Sequence, residues 1–178
     1  MITKLQLTVA LLMSGFTATV ANAQHDGGSS SRADCPMMKN SAAGVDERGD
    51  KAMGFSHGKT AHHFRLVEDG GTIEVSANDG ADQTSLSQIR QHLGHIAEMF
   101  KQGNFQIPML VHGEMPAGVS VMQQRRANIS YTFEETPTGG RVRIRTTDGE
   151  ALKAVHQFLR FQIREHRTGD SEALKERM

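Results

Sequence analysis

The chain has 178 residues with 20 basic and 20 acidic side chains, so no field of one sign steers it toward nucleic acid or an anionic membrane. A single cysteine, Cys35, excludes an intramolecular disulfide, and stability must come from a core, a ligand or a partner. No G-x-S-x-G elbow, P-loop or G-x-G-x-x-G loop is present, which removes the common signatures of serine hydrolases and nucleotide-binding enzymes.

Residues 1–23 read as a secretory signal: Lys4 supplies the positive start, Leu5 to Val20 the apolar stretch, and Ala21-Asn22-Ala23 a small-residue cleavage site. Thr8, Ser14, Gly15, Thr17 and Thr19 interrupt the apolar run, which is too short and too polar to span a bilayer as a mature helix. Nothing later in the chain is a transmembrane candidate, so the expected location is periplasmic or secreted. Residues 24–53 are Gly, Ser, Ala, Asp, Arg and Met with almost no branched apolar side chains, and read as a flexible linker. Residues 54–170, about 115 in number, have the size of one domain; residues 171–178 form a C-terminal tail.

Within the domain the periodicity repeats. His62, Phe64 and Leu66 alternate with His63, Arg65 and Val67; Asp69-Gly70-Gly71 carries turn chemistry; Ile73, Val75 and Ala77 alternate again, predicting a hairpin. Thr84 or Ser85 is placed to cap a helix whose Ile89, Leu93, Ile96 and Phe100 form an apolar stripe. The second half repeats the order: Ile129, Tyr131 and Phe133, a Pro137-Thr138-Gly139-Gly140 turn, Val142 and Ile144, then Asp148 capping a helix with Leu152, Val155, Leu159 and Ile163 inward. The halves align without gaps from Gly70 to Asp79 and from Gly139 to Asp148, through duplication or through convergence on the same turn and cap residues. The expected fold is α+β: two ββα units forming one antiparallel sheet with two helices on one face. Ile107 to His112 reads as a short extra strand and Gly113 to Gly118 as a loop. The edges of so small a sheet are able to pair between copies, which allows a homodimer.

Nine histidines and ten methionines are many for a chain with no Trp and one Tyr. At about 100° per residue, His92, His95 and Met99 fall within a stripe roughly 60° wide beside the apolar face of the first helix. His62 shares a strand face with Phe64 and Leu66, and His112 ends the expected short strand. Neutral imidazole suits zinc, copper, iron or nickel, and thioether sulfur adds a preference for Cu(I). The expected site is a transition-metal site, copper before zinc, formed by His62, His63, His92, His95 and His112 with Met99 or Met109 assisting. Two alternatives use the same residues. One is a haem held by a single axial His among Phe64, Met99, Phe100 and Phe105, or a small enzyme; the other is a module in which the histidines only pack. His156 and His166 stand outside the cluster, since ten residues of helix separate them by about 15 Å. Arg141, Arg143 and Arg145 alternate on one strand face and read as a solvated stripe paired with Glu134.

Met53-Gly54-Phe55, Lys59-Thr60, His62-His63-Phe64, His92-Leu93-Gly94-His95-Ile96-Ala97, Pro108-Met109-Leu110, His112 and the run from His156 to Asp170 carry a resemblance covering nearly the whole domain. By these motifs the chain resembles a family of exported bacterial proteins, and the resemblance implies export while saying little about activity. Similar sequences sometimes carry the label aspartate carbamoyltransferase. The Ser-Thr-Arg-Thr loop of that enzyme is absent here, and the domain is too short for its two-domain fold.

Overall fold

A computed structural model describes residues 42–174. The expected signal segment, residues 24–41 of the expected linker with Cys35, and tail residues 175–178 lie outside the described residues. The elements are α1 (Ala42–Met53), β1 (Thr60–Val67), β2 (Gly70–Ala77), α2 (Gln83–Lys101), α3 (Gln106–His112), α4 (Val119–Gln124), β3 (Ile129–Thr136), β4 (Gly139–Thr146) and α5 (Gly149–Glu165). The protein is α+β, with one four-stranded antiparallel sheet in the order β1-β2-β4-β3.

Alternation decides which face of the sheet is buried. Phe64, Leu66, Ile73, Val75, Val142, Ile144, Ile129 and Tyr131 turn inward, where Ile89, Leu93, Ile96 and Phe100 of α2 and Val155, Phe158, Leu159 and Ile163 of α5 cover them. Each long helix lies mainly over the other unit's hairpin: α2 contacts β3 and β4, and α5 contacts β1 and β2. That exchange carries the C-terminal end of α5 toward β1, where the histidines begin.

The Gly-Gly pairs do more than turn the chain. They open β2 and β4, the two strands that join the hairpins. A Cβ at Gly70, whose φ is 145°, would collide with the Ile144 carbonyl oxygen, and one at Gly139 with the Val75 carbonyl oxygen. Gly139→Ala must push the central strands apart, and overpacking of this kind costs about 1–3 kcal/mol. A thermal melt is expected to show a drop of several degrees; an unchanged midpoint would refute the close-approach argument.

Three local readings need correction. Helix α2 is capped by Asp82, whose carboxylate accepts from the Ser85 N–H at 3.0 Å and the Ser85 hydroxyl at 2.8 Å, so Ser85 answers the cap and Thr84 is not it. Residues 42–53, read as linker, form helix α1. Their average composition conceals Val45, Gly49 and Met53 at i, i+4 and i+8, one narrow inward stripe, with Val45 only 2% exposed. The segment from Ile107 to His112 is helix α3 rather than a strand. Alternation over six residues does not separate the two periods, whereas the Asn104 carboxamide oxygen accepts the Gln106 N–H at 3.0 Å and Gly113, at φ 71°, closes the helix through its N–H to the Met109 carbonyl. His112 thereby becomes the last, buried residue of a helix. The Asp148 cap stands as read, accepting the N–H groups of Glu150 and Ala151.

Candidate functional site

Four imidazoles from four elements line one cavity of about 80 Å³: His62 of β1, His92 of α2, His112 of α3, and His166 just beyond α5. Met53, Phe64, Ile96, Phe100 and Val111 supply much of the remaining lining, so the rings meet in a largely apolar space. His166 is the hub. Its ring centroid lies 5.7 Å from that of His62, with the planes 6° from parallel, and 5.1 Å from that of His112, with the planes at 81°. His92 stands further along, joined through Phe55, whose ring is 5.7 Å from His92 and 6.5 Å from His62.

Burial governs the charge of these rings. It pushes the pKa of His62 down to about 4, helped by the neighbouring His92 and His63, and that of His92 to about 4, helped by His95. His166 is pushed down to about 3 by burial and by the adjacent His62 and His112. His112 is lowered by burial, against the opposing effect of the hydrogen bond it donates to Gln162. At neutral pH the cavity therefore presents neutral imidazoles with available lone pairs.

His112 shows its lone pair most clearly. Gln162 Oε1 only accepts, so the 3.0 Å contact with His112 Nε2 places the proton on Nε2 and leaves Nδ1 as the acceptor. Nδ1 is buried with no hydrogen-bond partner among the described residues, as are Gln162 Nε2 and Arg48 Nη2 nearby. No hydrogen bond to a described residue engages the rings of His62, His92 or His166 either. A buried polar atom left alone costs roughly 1–3 kcal/mol. His112 Nδ1 and Gln162 Nε2 belong to residues that line the cavity, where water or an ion would satisfy them.

The residues expected from the sequence divide. His62, His92 and His112 converge on the cavity. His63 does not join them: alternation turns it to the opposite side of β1, where its Nδ1 lies 3.1 Å from Asp170 Oδ1. His95 is exposed and edges a shallow groove with Gln88, Gln91 and His92. At 100° per residue it points roughly 140° away from the apolar stripe of α2, too far round to reach inward. Met99 packs against the outside of the core, and Met109 lies on the side of α3 away from its buried face of Pro108, Val111 and His112. Neither methionine lines the cavity; the thioether that does is Met53, from the segment read as linker.

His166 is the residue that sequence reasoning passed over. Its distance from His156 is real, but its partners come from β1 and α3. His156 has a separate task, Nε2 lying 3.0 Å from both the Val67 and Gly70 carbonyl oxygens, which ties the β1–β2 turn to α5.

Two imidazoles on one ion, each about 2.0 Å from it, have ring centroids roughly 5–6.5 Å apart. The His112–His166 separation lies in this range, whereas His62 and His166 are stacked with nearly parallel planes, so their in-plane lone pairs do not converge on one point. Among the described residues, however, no three His, Cys, Asp or Glu side chains form a group arranged to hold a metal ion. Also among the described residues, no helix is long and apolar enough to cross a membrane. Compared with protein-family models, with curated proteins and with solved structures, the chain matches none.

Proposed function

We propose that this chain is an exported protein that binds copper as Cu(I), with His166 and His112 Nδ1 as the primary ligands and His62 and Met53 alongside. The observation carrying this reading is the buried His112 Nδ1, its tautomer set by Gln162, next to His166 in a neutral, largely apolar space. A ligating histidine usually donates its other ring N–H to an oxygen acceptor, and Gln162 Oε1 receives that proton here. The pairwise arrangement also separates the metals. Structural zinc takes four ligands in a tetrahedron, whereas Cu(I) is satisfied by two imidazoles and gains from a soft thioether.

The size of the cavity points the same way. About 80 Å³ accepts an ion rather than a haem, since pockets for drug-sized ligands run to roughly 300–1,000 Å³. The role that fits the signal expected over residues 1–23 is buffering or delivery of the ion outside the cytoplasm. Anaerobic titration of the purified chain with Cu(I) tests the reading. One tightly bound equivalent is expected, with a rise in melting temperature that grows with free metal; a hundredfold excess over Kd adds about 2.7 kcal/mol of stability. Absence of stoichiometric binding, or binding without stabilisation, overturns it.

A further inference from the structure

The two edges of the sheet differ. Residues flanking a two-residue hairpin turn bond to each other, and the bonding direction then alternates along each strand. Glu68-Asp69 and Pro137-Thr138 are such turns. On β1 the alternation turns the N–H groups of Thr60, His62, Phe64 and Leu66 away from β2. Two of these are taken: Phe64 N–H donates to Asp170 Oδ2 at 2.9 Å, and Thr60 N–H to the His57 carbonyl. On β3 it turns Tyr131, Phe133 and Glu135 away from β4, and their outward N–H and C=O groups make no hydrogen bond to a described residue.

An open edge is a template for another strand, and β3 is its own complement. About a two-fold axis at Phe133, that residue faces the partner's Phe133 and Tyr131 faces the partner's Glu135, pairs that exchange both backbone bonds. Thr132 then faces the partner's Glu134. Centring the axis on Glu134 or Glu135 instead sets a carboxylate against its own copy, which destabilises the pairing.

The helix layer fits the same axis. α2 lies over β3 and β4, so extending the sheet through β3 sets α2 and the partner's α2 two strand spacings apart. That is roughly 10 Å, the distance at which helices pack. The flank of α2 toward the free edge carries Arg90, Gly94, Glu98 and Lys101 within about 80°. Arg90 identifies it, Nη2 donating to the Thr136 carbonyl at 3.1 Å and Nε to the Gly139 carbonyl at 3.2 Å. Gly94 stands over Phe133, whose Cδ1 would lie 3.9 Å from a Cβ added there. The axis therefore brings Gly94 to the partner's Gly94, where no side chain holds the helices apart, and Arg90 to the partner's Glu98, of opposite charge.

We propose that the protein is a two-fold dimer joined through β3, with Phe133 and Gly94 at the axis and one continuous sheet of four strands from each copy. A second copy is the partner that this edge fits, because backbone bonding, charge and helix spacing share one axis. His92 lies roughly 160° round α2 from Gly94, so the dimer leaves the histidine cavity clear and is independent of the copper reading.

Sedimentation velocity of the full chain from about 1 to 100 µM tests the proposal, with a dimer expected within that range. Gly94→Lys separates interface from fold. Its Cβ meets only ordinary contact within the monomer, and replacing a helical glycine favours the helix, so the variant is expected to melt no lower than the wild-type monomer. In the dimer it sets bulk and like charge at the axis, and the dissociation constant is expected to rise at least about a hundredfold. Amide hydrogen exchange gives a second reading that needs no variant: Tyr131, Phe133 and Glu135 are expected to exchange more slowly as the chain is concentrated. A wild-type chain that stays monomeric at 100 µM overturns the proposal. So does a dimer that folded Gly94→Lys leaves intact, or one in which those three amides exchange as fast as in the monomer.

Discussion

Acidifying the metal-free protein from pH 7 to pH 4 is expected to remove roughly 4 kcal/mol of stability, an order-of-magnitude figure that allows for residual solvent around the rings. The unfolded chain binds protons on its histidines near pH 6.5. The folded chain refuses them until about pH 4 at His62 and His92 and about pH 3 at His166. Between those limits the unfolded state carries more protons, so stability rises with pH through the window and is complete above it. Typical domains have about 5–15 kcal/mol in total, which makes this a large loss. Urea midpoints at pH 7, 5.5 and 4 measure it. His166→Phe, which keeps a ring and removes a titrating group, is expected to flatten the dependence. A midpoint constant down to pH 4.5 would show that the rings are not buried as neutral species.

The second large effect distinguishes the convergent histidines from the one that sequence spacing favoured. His166→Ala is expected to weaken Cu(I) binding by at least about a hundredfold, the upper end of what supporting groups contribute at metal sites, because His166 belongs to both close ring pairs. His95→Ala, on the exposed flank of α2, is expected to change affinity by less than about twofold, since surface substitutions away from a site are nearly neutral. Competition against a chromophoric chelator reads both. Equal loss in the two variants, or loss only in His95→Ala, places the ion on the surface of α2 and removes the cavity from the argument.

Much of the architecture is legible in local pattern. Period-two alternation in 62–67, 73–77, 129–133 and 142–146 marks the strands because each has one face in the core, and alternation reports that asymmetry directly. Asp148 is legible as a cap because its action is local, on N–H groups two and three residues on. The failures have matching causes. Helix α1 is hidden because a lone helix of this composition has little stability of its own and forms against α3, with Arg48 Nε donating to the Val111 carbonyl at 2.7 Å. Helix α3 is hidden because Ile107, Met109 and Val111 satisfy a strand pattern as well as a helical one, and the flanking Asn104 and Gly113 decide between them.

The amino-acid order by itself determined the ββα–ββα succession, the inward strand residues and the richness in imidazole and thioether groups, since each depends on neighbours within a few positions. Which imidazoles meet was decided only in three dimensions. The exchange of helices over the two hairpins brings His166 to His62, and the packing of α3 brings His112 to His166, across separations of 104 and 54 residues. Periodicity assigns a side chain to a face of its own element; it carries no information about which other element that face will oppose.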